Sequence, residues 1–89
     1  MLEDIKTVLR IDGTEDDYWL SSLISSAKTE IQGSTGVIVD ESNDFHKNVV
    51  SLIVMKYHDT EMAEKLNPII DRMLVHLQYQ VTTTEEGTI

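Results

Sequence analysis

The residues of this chain able to do chemistry are its carboxylates, three histidines and one adjacent aromatic pair. Asp12, Thr14 and Asp16 alternate as the first ligands of a calcium-binding loop do. Such a loop needs glycine at its sixth position and glutamate at its twelfth, where this chain has Asp17 and Leu23. The same residues are better explained as a turn and a helix start. Gly13 supplies the positive φ that a tight turn requires. Thr14 is placed to cap a helix by accepting from the Asp17 N–H, and Glu15, Asp16 and Asp17 face the positive end of the helix dipole. No HxxxH or HExxH spacing joins His46, His58 and His76, so a zinc site is not expected. No carboxylate pair sits in the apolar surroundings that would separate two pKa values for acid–base catalysis. The absence of cysteine excludes disulfides, thiolate metal sites and thiol nucleophiles together. With no glycine-rich phosphate loop and no nucleophile elbow either, the expectation is a protein that is not an enzyme and has no metal or cofactor.

Recognition is the chemistry left, and Tyr18 and Trp19 are its first candidates. Tyrosine and tryptophan concentrate in binding hot spots. Adjacent helical positions point about 100° apart, so the two rings cannot face one core squarely. Trp19 is read as a partly buried core aromatic or as an interface anchor, and one of the pair is expected at the surface.

Four helices have to position these groups. Leu2, Ile5, Val8 and Leu9 predict a short helix over 2–10, with Glu3 and Asp4 at its start and Arg10 at its end. At about two turns it needs a neighbour to be stable. Leu20, Leu23, Ile24, Ala27 and Ile31 form one apolar stripe and predict a helix over 15–32, ended by Gly33, Ser34 and Gly36. Ser21, Ser22, Ser25 and Ser26 lie on its opposite, solvated face. Val37, Ile38 and Val39 are β-branched and suit an extended segment, read as a loop that pins itself by an apolar contact. Ser42 or Asn43 can then cap a helix over 44–60. Apolar residues surround that helix between Val49 and Tyr57, which makes it the central core element. Asp59 to Lys65 is polar linker or ragged helix. Asn67-Pro68 reads as a cap followed by proline at the first helical position, opening a helix over 68–79 on Ile69, Ile70, Met73, Leu74 and Leu77. Residues 80–89 carry no stripe and are expected to be a flexible arm, able to order by adding to a partner's edge strand.

The fold expected is therefore all-α: one domain over 1–79, a small bundle of about four helices, with an extended C-terminal tail. At 89 residues the chain has room for a single core. It buries only about 60–65% of its unfolded surface, so its stability is modest unless a partner adds to it. Its longest apolar run, Leu52 to Met55, is far too short to cross a bilayer, and its first ten residues lack a signal-peptide core. A soluble protein made in the cytoplasm is expected. Sixteen acidic against seven basic residues give a net charge of −9. That balance argues against gripping DNA by neutralising phosphates but suits a wall past which DNA slides, as well as plain solubility.

In order, LEDIKTVLRIDGTEDDYWLSSLISSAKTEIQGSTG resembles the N-terminal pattern of the small head–tail connector proteins of tailed bacteriophages, also called head-completion or DNA-packaging adaptor proteins. FHKNVVSLIVMKYHD resembles their third, core helix, and LNPIIDRMLVHL their proline-led final helix, so the likeness spans about residues 2–79. It departs from the family at DTEMAEK and in the tail. The resemblance implies a structural virion protein at the head–tail interface, present in the host cytoplasm before assembly. Its implied partners are the portal protein, a tail-side completion protein and further copies of itself. They would form a ring, twelvefold on the portal, that extends the channel and lets DNA pass without specific binding. Candidate contact residues are Tyr18 and Trp19, the loop residues Val37, Ile38 and Val39, and Val81, Thr82, Thr83 and Ile89 in the tail, a portal-docking arm.

Two other readings are open to the residues alone. An acidic DNA mimic would space carboxylates along one face, yet here many cluster at helix starts, where capping accounts for them. A small regulatory helical domain that binds a partner protein is the third.

Overall fold

A computed structural model describes the backbone of residues 1–88 and the side chains of residues 1–79. Its elements are α1 (Leu2–Leu9), α2 (Asp17–Thr35), α3 (Asp44–His58), a 3₁₀ turn (Thr60–Met62) and α4 (Ala63–Thr88). No strand occurs among the described residues, and the all-α bundle expected from the helical stripes is what forms.

In α1, Ile5 is buried while Leu2 and Leu9 pack against the core, but Val8 is exposed and Lys6 is buried instead. Leu2, Ile5, Lys6 and Leu9 fall within an arc of about 100°, and Val8 lies outside it. The helix closes with a Schellman motif: the Ile11 N–H donates to the Lys6 carbonyl (2.9 Å) and the Arg10 N–H to that of Thr7 (3.2 Å). Arg10 holds the left-handed conformation that glycine usually takes there, with φ 59°.

The expected turn at Gly13 forms with φ 86°. The expected cap on Thr14 does not. The Asp17 N–H donates to the main-chain carbonyl of Thr14 (3.2 Å), and α2 starts behind Asp16 with no side-chain cap. At its far end α2 runs through Gly33 to Thr35. Gly36, φ 76°, ends it by donating to the Gln32 carbonyl (2.8 Å). The Thr35 hydroxyl donates to Ile31 O and accepts from the Val37 N–H, which turns the chain and sends Val37 into the core.

Asn43, one of the two expected caps of α3, accepts from the N–H groups of Phe45 and His46. Val49, Val50, Ile53 and Val54 are all buried, and α3 touches α1, α2, the 3₁₀ turn and α4. It is the centre of the core, as its all-round apolar pattern requires.

The proline-led start of the last helix is corrected. Asp59 ends α3 and caps the 3₁₀ turn, accepting from the Glu61 N–H, and α4 follows at Ala63. Pro68 thus lies inside α4 rather than at its first position. The core explains this: Leu66 is buried beside Ile70 and Leu77, so helical packing begins before the proline. Helical backbone also continues past residue 79 to Thr88, where the sequence predicted extended arm; no proline and no glycine before Gly87 interrupts it.

Candidate functional site

Trp19 and His58 bring the start of α2 against the end of α3, with ring centroids 5.5 Å apart and planes inclined at 43°. On the other side the Tyr57 hydroxyl donates to the Glu30 carboxylate at 2.7 Å. That bond holds the Tyr57 phenol above its ordinary pKa, with partial burial adding to the effect. α2 therefore crosses the C-terminal end of α3. Trp19 remains 45% exposed and Tyr18 87% exposed, so Tyr18 is the ring that core packing cannot use. The crossing also gathers acid: Glu15 and Asp16 precede the pair on α2, Asp59 and Glu61 follow His58, and all four are exposed.

Of the three loop candidates only Ile38 faces outward, 74% exposed; Val37 is buried and Val39 packs against the core. Beside them Glu41 pairs with Lys28 at 3.0 Å and with the Met1 amino group at 3.6 Å. The Lys28 hydrogen bond and its charge hold the Glu41 carboxyl below its ordinary pKa. Asp40 is lowered as well, by accepting from the hydroxyl and N–H of Ser42. The side chains of Val81, Thr82 and Thr83, and all of Ile89, lie outside the described residues.

The bundle also presents a surface the sequence did not announce. α4 packs on α2 and α3 through Leu66, Ile70 and Leu77. Its opposite face carries Glu64, Lys65, Pro68, Asp71, Arg72, Val75 and Tyr79, with Ile69 at its edge, all exposed. Ile69 belonged to the predicted buried stripe, but it lies about 100° from Ile70 and the register set by Ile70 and Leu77 turns it out. Among the described residues neither Lys65 nor Arg72 has an ion-pair partner. The spacing of Arg72, Val75 and Tyr79 at i, i+3 and i+7 was the available signal for this second face.

The histidines serve the fold. His46 Nδ1 accepts from the Asp40 N–H (2.9 Å), His76 meets Phe45 edge-on at 5.2 Å between centroids, and His58 packs on Trp19. Among the described residues no group of three or more His, Asp or Glu side chains is gathered to hold a metal ion. No described helix is long and apolar enough to cross a membrane. A groove beside α1 is open and lined by Asp4, Thr7, Val8, Asp44, Lys47, Asn48 and Ser51, with no unpartnered buried polar group among them. Surfaces for macromolecular contact are what this geometry offers.

Comparison with known proteins gives one match: the family model described as phage gp6-like head-tail connector protein fits residues 1–81. No curated protein and no solved structure matches the chain.

Proposed function

The chain belongs to the phage gp6-like head-tail connector family, and from that membership we propose that it forms a ring beneath the portal. It is a structural protein of the virion's head–tail junction, and its partners are portal and tail proteins. In the proposed assembly, further copies of the chain complete a ring, twelvefold on the portal. The ring extends the DNA channel and presents a platform to the tail-side completion protein.

The observation that carries this reading is the span of the match, which takes in α1, α2, α3 and most of α4. Two features support it. The net charge of −9 suits a channel that DNA traverses, because carboxylates repel phosphates. Exposed aromatic and aliphatic groups occur at the α2–α3 crossing (Tyr18, Trp19) and, separately, on α4 (Val75, Tyr79), and a subunit of a closed ring needs at least two contact faces.

The test is to mix the purified chain with portal complexes and image them by electron microscopy. A stoichiometric ring on the portal is the expected result. A protein that stays strictly monomeric and never joins portals overturns the reading.

A further inference from the structure

We propose that the Asp12–Gly13 peptide is a site of spontaneous modification, at which Asp12 converts to isoaspartate through a cyclic imide. The reaction needs no partner but water. The Gly13 nitrogen attacks the carbon of the protonated Asp12 carboxyl and closes a five-membered ring. A nitrogen–carbon bond forms, the carbon–hydroxyl bond breaks, and the hydroxyl leaves as water with the amide proton. Water then opens the ring at either carbonyl. Opening at the side-chain carbon restores aspartate, and opening at the main-chain carbon leaves the backbone running through the side chain.

The surroundings single out this aspartate. Asp12 and Gly13 are exposed in the link between α1 and α2, outside the helices that hold Asp4, Asp17, Asp44 and Asp71. The carboxylates of Asp40 and Asp59 are engaged by Ser42 and by the Glu61 N–H, whereas that of Asp12 accepts no hydrogen bond among the described residues. The Gly13 N–H is likewise undonated, while the Asp17 N–H, which follows Asp16, is held by the Thr14 carbonyl at 3.2 Å. Gly13 has no side chain to crowd the attack, and open space surrounds the place its Cβ would take.

The same peptide is pinned to Lys6 from both sides. The Ile11 N–H donates to the Lys6 carbonyl, and the Lys6 ammonium donates to the Gly13 carbonyl. Isoaspartate adds one carbon to the main chain between these two ties, so the segment lengthens and the corner between α1 and α2 loosens. This holds whether or not the chain forms a ring.

The test is to age the purified chain near neutral pH beside an Asp12→Glu variant, whose imide would need a six-membered ring. Trypsin, cutting after Arg10 and Lys28, releases residues 11–28, and electron-transfer fragmentation reads isoaspartate at Asp12, Asp16 and Asp17 separately. Isoaspartate is expected at Asp12 at least about tenfold in excess of the other two, because only glycine leaves the attacking nitrogen uncrowded. The aged wild type is expected to melt below the fresh chain, and repair by an isoaspartate methyltransferase to restore its melting. The aged Asp12→Glu chain is expected to melt as it did when fresh. No excess at Asp12 overturns the site. An isomerised chain that melts like the fresh one, or an aged Asp12→Glu chain that falls as far as the wild type, overturns the effect on the corner.

Discussion

The corner between α1 and α2 is closed by polar groups, and the joint between α3 and α4 by apolar ones. At the corner the Lys6 ammonium pairs with the Asp17 carboxylate at 2.8 Å and also donates to the Gly13 carbonyl, so one buried cation ties both helices to the turn between them. The Asp17 hydrogen bond and charge raise the Lys6 pKa against the opposing effect of burial. At the joint, Val50, Ile53 and Val54 of α3 and Leu66, Ile70 and Leu77 of α4 are buried together, and polar groups only steer the chain through Asp59. Apolar burial supplies stability without direction, while the ion pair fixes an angle that apolar contact would leave loose. The corner in turn fixes where Tyr18 and Trp19 stand, one and two residues beyond Asp17.

If the joint is where the stability lies, Ile53→Ala should cost the most, about 2–5 kcal/mol by the precedent of buried core truncations. Ile53 has no exposed surface, and a domain of this size has little margin to lose. Urea unfolding reads the effect; a loss below about 1 kcal/mol would mean the site collapses without a cavity, and the contrast with the corner would fail.

The next effects are gains, one on each side of the comparison. Pro68 lies inside α4, so the Glu64 carbonyl lacks its helical donor. Both residues are exposed, and Pro68→Ala gives up no buried area while restoring that bond. It should stabilise by about 1–3 kcal/mol. At the corner, Arg10 occupies a left-handed position that glycine takes without strain, so Arg10→Gly should add about 0.5–1 kcal/mol. Thermal denaturation of both variants ranks them. A destabilised Arg10→Gly would show that the arginine side chain contributes more than its backbone conformation costs.

These sites also mark where the sequence was readable and where it was not. Leu20, Ile24, Ala27 and Ile31 predict α2 because an amphipathic helix writes its buried face into its own spacing, and the central place of α3 follows from its unbroken apolar girth. Boundaries are another matter. α4 begins at Ala63 because Leu66 finds a place in the core, a long-range fact that outweighs the local preference of Asn67-Pro68 to start a helix. The burial of Lys6 was hidden because its partners are seven and eleven positions away across a turn. That one ring of the Tyr18–Trp19 pair would stand out was legible, but which of the two was not. The outer face of α4 was not legible, since Ile69 was read into the stripe that Ile70 and Leu77 already fill and Val75 and Tyr79 were assigned to no face.

The smallest effects sharpen the comparison through pH, because the polar tethers of the molecule titrate in opposite directions. Lys6 has a raised pKa, so its contribution is complete below its unfolded value, 10.5, and is lost as pH rises through the higher folded value. Glu41 has a lowered pKa. Its tie from the 37–43 loop to Lys28 is complete above 4.5 and is lost as pH falls through the folded value below that. The Asp40–Ser42 turn beside it behaves the same way from 3.8 downward. The corner should therefore loosen in alkali and the loop in acid, with the apolar joint indifferent to both. Melting temperatures of the wild type, Lys6→Met and Glu41→Gln across pH separate these effects, since titrations common to the chains, Tyr57 among them, cancel in the differences. The Glu41→Gln deficit should shrink toward zero as pH falls through the lowered folded value, where the wild-type carboxylate takes up its proton. The Lys6→Met deficit should close in strong alkali, as the Lys6 ammonium loses its proton. If that deficit is unchanged there, the ammonium is not what holds the corner.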